Sequence, residues 1–250
     1  MGALLKKSVL AIVAAAASIA SANRIVLNND EWTFSNAGFS VSSGASQFAT
    51  NIASWLTAGT GGNNVLILSQ NFGLVESQFG NALTSGGFNV NYNTSGAYAP
   101  GDLSSYQAVF LAGNPVDNAA LTSYVNGGGN VYLAGGTGWG GSVAEAGNWN
   151  PFLNSFGLGF GTFYNGVNGS LTPPATHPIF SGVGTVYFNN GNNALDLVAG
   201  GNSSVVWSSG ANGLIAVYDG NTAAVPEPGT LALFGIGVSA AVFAVRRRKQ

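Results

Sequence analysis

The sequence predicts an α/β fold: a mostly parallel sheet covered by helices on both faces, extra strands toward the C-terminal side, and a membrane-spanning helix near the end of the chain. Three observations predict it. Residues 64–69 (NVLILS) form an unbroken apolar run of the kind buried on both faces of a parallel sheet. Strand-like runs then alternate with helix-like stretches as far as residue 134. Beyond residue 185 that rhythm gives way to short runs separated by Gly, Asn and Ser turns, the pattern of mixed or antiparallel strands.

Taken in order, residues 47–56 (QFATNIASWL) read as an amphipathic helix leading into the first strand at 64–69. Leu74, Phe79, Ala82 and Leu83 give a helical stripe that Gly86 and Gly87 end. Residues 88–93 are a second strand and 108–112 (AVFLA) a third. A helix over 117–126 follows, with Asp117 or Asn118 at its cap and Gly127, Gly128 and Gly129 at its end. Residues 131–134 (VYLA) are the fourth strand, and 185–188, 205–207 and 214–218 are the short later ones. No linker interrupts residues 23–222, which read as one domain.

Both ends read as addressing segments. Lys6 and Lys7, an apolar stretch over 9–17, and the small residues Ala20 and Ala22 predict a signal peptide, residues 1–22, cut after Ala22. Residues 223–228 form a linker, 229–245 an uncharged span at the lower limit for crossing a bilayer, and 246–250 a basic tail. Arg246, Arg247, Arg248 and Lys249 stop transfer and stay cytoplasmic, which sends the body across the inner membrane. Pro226 and Pro228 on either side of Glu227 fix an extended backbone just outside that span, open to a processing enzyme.

Between residues 25 and 245 there is no Lys or Arg, so Arg24 alone stands against the nine acids of the chain. Nucleic acid as a partner is excluded, because phosphate neutralisation needs a basic surface. The chain has no cysteine, which removes disulfides, thiolate nucleophiles and cysteine metal sites together.

The Pro-Glu-Pro triplet, short apolar span and terminal Arg cluster resemble the C-terminal sorting signal of PEP-CTERM proteins. That resemblance implies recognition of Pro226, Glu227 and Pro228 by an exosortase-type membrane transpeptidase. It further implies loss of the span, release or attachment at the cell surface, and a producer of extracellular polysaccharide. The body is similar to the class I glutamine amidotransferase-like fold, a flavodoxin-like three-layer sandwich, and to its ThuA-like relatives. QFATNIASWL, NGGGNVYLAGGTGW and THPIFSGVGTVYFNNGN carry the likeness. In that family a Cys nucleophile stands at the elbow after the strand matching VYLA. Here the elbow reads Gly135-Gly136-Thr137-Gly138-Trp139, which implies a scaffold without that chemistry.

Other motifs carry less. Residues 136–141 satisfy GxGxxG, but after the fourth strand and with no acid some 20 residues on, so they read as a tight turn. His177 is the only histidine, and before Pro178 it reads as satisfying a backbone group. Asn29-Asp30-Glu31 is a candidate calcium ligand run without the regular loop spacing. The sequons at Asn93, Asn168 and Asn202 are expected by chance in so Asn/Ser/Thr-rich a chain.

Ligands of open parallel sheets sit beyond the strand C-termini. Gln70, Asn71, Asn114, Thr137 and Trp139 are expected there: amides to donate and accept, and an indole to stack on a sugar. The expectation is an exported surface or extracellular-matrix protein without enzyme activity, cofactor or metal, whose partners are the transpeptidase and extracellular polysaccharide. The alternative is a secreted carbohydrate hydrolase drawing a carboxylate pair from Glu76, Asp102, Asp117, Glu145 and Asp196.

Overall fold

The computed structural model describes residues 23–95, 100–114 and 116–220. The signal peptide, linker, span and basic tail expected from the sequence lie outside the described residues, as does the Asp102 side chain. Among the described residues no helix is long and apolar enough to cross a membrane.

The chain opens with β1 (Arg24–Asn28), a strand the sequence reading did not place. A 3-10 turn at Glu31–Phe34 and α1 (Asn36–Val41) follow, then α2 (Ala45–Thr57), β2 (Asn64–Ser69), α3 (Phe72–Val75) and α4 (Ser77–Ser85). Next come β3 (Asn89–Asn93), β4 (Ala108–Ala112), α5 (Asn118–Asn126), β5 (Asn130–Ala134) and α6 (Gly141–Leu153). The later strands are β6 (Leu158–Phe160), β7 (Asn168–Leu171), β8 (Val186–Asn189), β9 (Ala194–Asp196), β10 (Ser203–Ser209) and β11 (Asn212–Asp219).

Seven strands make the main sheet, in the order β10-β11-β1-β5-β4-β2-β3. β1, β5, β4, β2 and β3 are parallel, and β11 and β10 add an antiparallel flank. The run NVLILS is therefore the second strand of the chain, not its first, and β1 lies near the centre between β5 and β11. Counted from β2, the parallel strands run 2-1-3-4, and β1 fills the fifth place of the doubly wound order 2-1-3-4-5. The extra C-terminal strands expected from the sequence are present, two in this sheet and four in the small pairs β6-β9 and β7-β8.

Period-2 alternation hidden inside the apolar runs builds two cores. Val26, Val65, Ile67, Phe110 and Tyr132 point to one face, under Phe48, Ile52 and Leu56 of α2 and Phe79 and Leu83 of α4. Ile25, Leu27, Leu66, Leu68, Val109, Leu111, Val131 and Leu133 point to the other, under Leu121 and Val125 of α5 and Trp149, Phe152 and Leu153 of α6. Two helix layers thus sandwich one sheet. Asp117 caps α5, its side chain accepting from Ala120 N at 2.9 Å, which settles the choice between the two cap residues. The single stripe expected over 74–83 is two helices, broken at Glu76, whose backbone is extended (ψ 155°).

Candidate functional site

The C-terminal ends of β1, β2, β4 and β5 open on one crevice. β1 delivers Asn29, Asp30 and Glu31; β2 delivers Gln70 and Asn71; β4 delivers Asn114; β5 delivers Gly136, Thr137 and Trp139. Between β2 and β4 the crossovers leave in opposite directions, which is where doubly wound sheets bind ligands. A Cβ placed on Gly113 would stand 3.8 Å from Asn71 Cβ and 3.9 Å from Thr137 Cβ, so those two expected site residues converge.

Buried carboxyls lie beneath the residues expected to line the crevice. Glu145, one turn into α6, points back beneath the loop that precedes its helix and is fully buried. It accepts from Gly136 N at 3.0 Å, Thr137 N at 3.1 Å, Thr137 Oγ1 at 2.6 Å and Asn192 Nδ2 at 3.0 Å. Burial pushes its carboxyl up, and these four donors work against that rise. Asp30 accepts from Trp32 N at 2.9 Å and from Asn189 N, which ties the end of β1 to the end of β8. Burial raises Asp30 to about 6. Glu31 accepts from Asn71 Nδ2 and is raised to about 7, first by burial and then by the nearby charges of Asp30 and Glu145. These three carboxyls lie close enough to feel one another's charge because β1 is central; with that strand unread, only Glu145 was weighed as a catalytic acid.

Of the expected crevice residues, three are held by the protein itself. Gln70 Nε2 donates to Thr94 O at 2.9 Å, and Asn71 caps α3 through Gly73 N at 2.8 Å while donating to Glu31. Thr137 is turned onto Glu145. Asn114 is half-buried, and Trp139 stands 41% exposed at the rim. The residue that sequence reasoning missed is Tyr164, 37% exposed, whose phenol is raised first by burial and then by the nearby charges of Glu145 and Glu31. A hydrogen bond of 2.9 Å from Ser142 Oγ to Thr162 O brings the Tyr164 loop beside the Trp139 loop. No local periodicity marks Tyr164; its place depends on that long-range contact.

The other weighed residues have structural partners. Glu76 accepts from Asn36 N at 2.5 Å, and Asp196 accepts from Ser203 Oγ at 2.6 Å. His177 Nδ1 accepts from Ile179 N at 3.4 Å, capping the 3-10 turn Pro178–Phe180, and its ring meets the edge of Trp55 at 5.1 Å. Asn29-Asp30-Glu31 does not form a cation cage: N–H donors hold Asp30, Asn71 holds Glu31, and Asn29 Nδ2 donates to Asn192 O at 2.8 Å. Among the described residues no group of three or more His, Cys, Asp or Glu side chains is arranged to hold a metal ion. Residues 136–141 make the tight turn into α6, with Gly136, Gly138, Gly140 and Gly141 all at positive φ.

Residues 224–249 match the family model described as the PEP-CTERM protein-sorting motif. The match supports an exported protein handled by an exosortase-type sorting enzyme, with a chain held at the membrane by its C-terminal segment before processing. It covers Pro226, Glu227, Pro228 and the cluster from Arg246 to Lys249, and it speaks of sorting rather than of the body's chemistry. No curated protein matches the chain.

Proposed function

We propose that this is a non-enzymatic component of the cell surface or extracellular matrix, and that its crevice takes a neutral glycan. The body is, in this reading, an amidotransferase-like scaffold that keeps the fold without the nucleophile, and the sorted protein works beside the polysaccharide of its producer. The observation that carries the proposal is that two exposed aromatics, Trp139 and Tyr164, stand on loops joined by the Ser142–Thr162 hydrogen bond. Aromatic faces stack on sugar rings, and amide side chains such as those of Gln70 and Asn114 donate to and accept from sugar hydroxyls. Arg24, the only Lys or Arg among the described residues, is at the opposite end of β1, paired with Asp219 at 3.1 Å and stacked on Trp55 at 4.9 Å. Anionic glycans are disfavoured by the acids beneath the crevice.

The test is affinity electrophoresis of the full chain in mild detergent through dextran, mannan and alginate. Retardation by a neutral polymer and none by alginate is expected. Trp139→Ala and Tyr164→Ala each weaken retardation by about 3- to 10-fold, the loss of roughly one stacking contact. Migration unaffected by every neutral polymer, or by both substitutions, removes the glycan reading.

One observation favours a second reading. Glu31, raised to about 7, lies within reach of the charge of Glu145, and a carboxyl that titrates near neutrality suits general acid work on a glycosidic bond. If the retarding polymer is shortened on incubation and Glu31→Gln stops the shortening, the body is a hydrolase.

A further inference from the structure

We propose that the body carries a second ligand site, at the pole of the sheet opposite the crevice, and that this site takes a single neutral sugar unit. The inference stands on its own residues and does not depend on what the crevice binds.

β4 and β5 run parallel, so the segments that lead into them lie at one pole and the crevice at the other. At that first pole is a cavity of about 320 Å³. Its walls include Tyr106 and Gln107 ahead of β4, Ser123 and Tyr124 in the last turn of α5, and the loop Gly127–Gly129 ahead of β5. The volume is at the lower end of the range for small-molecule sites, about 300–1,000 Å³, and suits one small unit rather than a length of polymer.

The run of three glycines makes the space. Gly128, at φ 95°, supplies the left-handed turn that stops α5, and its N donates to Val125 O at 2.9 Å. Gly129 is not needed for that stop. A Cβ there would lie 2.3 Å from Tyr124 Cε2 and Cζ, so glycine lets the phenol ring rest against the backbone. Tyr124 Oη then donates to Tyr106 O at 2.9 Å, which fixes the ring between α5 and the segment before β4.

The polar groups suit a sugar. Gln107 is anchored three times: its N donates to Asn64 O at 2.9 Å, its Oε1 accepts from Asn64 N at 2.9 Å, and its O accepts from Asn130 Nδ2 at 2.8 Å. That leaves Nε2 as a positioned donor. Gln107 Nε2, Tyr106 Oη and Ser123 Oγ have no partner among the described residues, and all three residues line the cavity. An amide N–H donates to a sugar hydroxyl, the two hydroxyls both donate and accept, and the phenol rings offer apolar faces. None of the residues lining the cavity is charged. An ionic ligand would lose its water there without a counter-charge, whereas a neutral one loses far less.

The test labels the full chain, in mild detergent, with 3-fluorotyrosine and follows fluorine resonances during titration with methyl α-glucoside, methyl α-mannoside and glucuronate. Tyr106→Phe and Tyr164→Phe assign the signals that report the cavity and the crevice from one sample. A saturable shift of the Tyr106 signal is expected below about 100 mM of a methyl glycoside, with none from glucuronate. Ser123 is exposed, so Ser123→Trp fills the cavity from its rim; it should weaken the Tyr106 response about tenfold or more and leave the Tyr164 signal unchanged. Ser123→Leu is the milder filling, with a smaller loss in the same direction. The same shift with dextran or mannan identifies a chain end as the occupant, and a shift confined to the methyl glycosides identifies a free sugar; either supports the site. No saturable shift at Tyr106, a shift that survives both Ser123 substitutions, or an equal response to glucuronate overturns it. A response at Tyr164 alone overturns the second site and leaves the crevice reading intact, whereas a response at Tyr106 alone does the reverse.

Discussion

Raising the pH from about 5 to about 8 is expected to destabilise the folded body, and Glu31→Gln to remove part of that loss. Glu31 is 7% exposed, and its carboxyl is raised from 4.5 to about 7 in the fold. The folded state therefore holds a proton that the unfolded chain releases once pH passes its ordinary value. Its contribution is fully present below about 4.5 and is lost as pH rises through about 7. Over that window the shift corresponds to a few kcal/mol, on the order of 3, at about 1.4 kcal/mol per unit. Asp30, raised from 3.8 to about 6, adds a loss of the same sign at lower pH. Gln at position 31 is close to the shape of the protonated acid and still offers an oxygen to Asn71, so the pH slope between about 6 and 8 should flatten. Asp30→Asn should behave differently. Asp30 accepts from two backbone N–H groups, and an amide in its place turns a donor on one of them, a cost present at every pH. Denaturant melts of both variants across the range provide the measurement. Stability that rises between about pH 5 and 8, as for carboxyls paired with cations, would contradict the account.

Legibility in the sequence followed locality. Residues 64–69 and 108–112 were recognisable as buried parallel strands because their apolar runs are unbroken, and the structure buries them on both faces. β1 has the same character in Arg24–Asn28 but follows an alanine-rich stretch of sequence with no Gly or Pro to mark where the strand begins. Missing that one strand hid the site, because Asp30 and Glu31 gain their meaning only when the strand before them lies beside β5. β6 and β9 are three residues each, too short for any period to show, and they are fixed by pairing with each other across 33 residues of intervening chain. Glu145 could be listed as an acid but not placed, since its four donors come from the preceding loop and from Asn192. Tyr164 was out of reach for the same reason. Local pattern gives elements; the crevice is made of contacts between them.

Placing a side chain at the vacant elbow should be among the most damaging single changes in the body. Gly136 is the first left-handed residue after β5, at φ 71°. A Cβ there would lie 2.8 Å from Gly191 Cα and 2.9 Å from Asn29 O, and both neighbours are backbone. They cannot swing aside, because Asn192 N donates to Asn29 O at 2.8 Å and Asn165 N donates to Gly191 O at 2.9 Å. Relief would have to come from moving residues 189–192 at and after the end of β8, which also carry the donors to Asp30 and Glu145. Gly136→Cys should therefore cost on the order of 3 kcal/mol or more: roughly 1–2 for the left-handed backbone and the rest for the collision. Gly138→Ala is the control. Its φ is 69°, yet nothing lies within 4 Å of the added Cβ, so only the backbone cost of roughly 1–2 kcal/mol applies. Comparable losses in the two variants would show that the collision is absorbed and that a thiol can be restored at the elbow. A large difference would mean that the backbone of Asn29 and Gly191 has closed over the position an amidotransferase-like nucleophile needs. A cysteine at position 136 would then need compensating changes in the segment around Gly191.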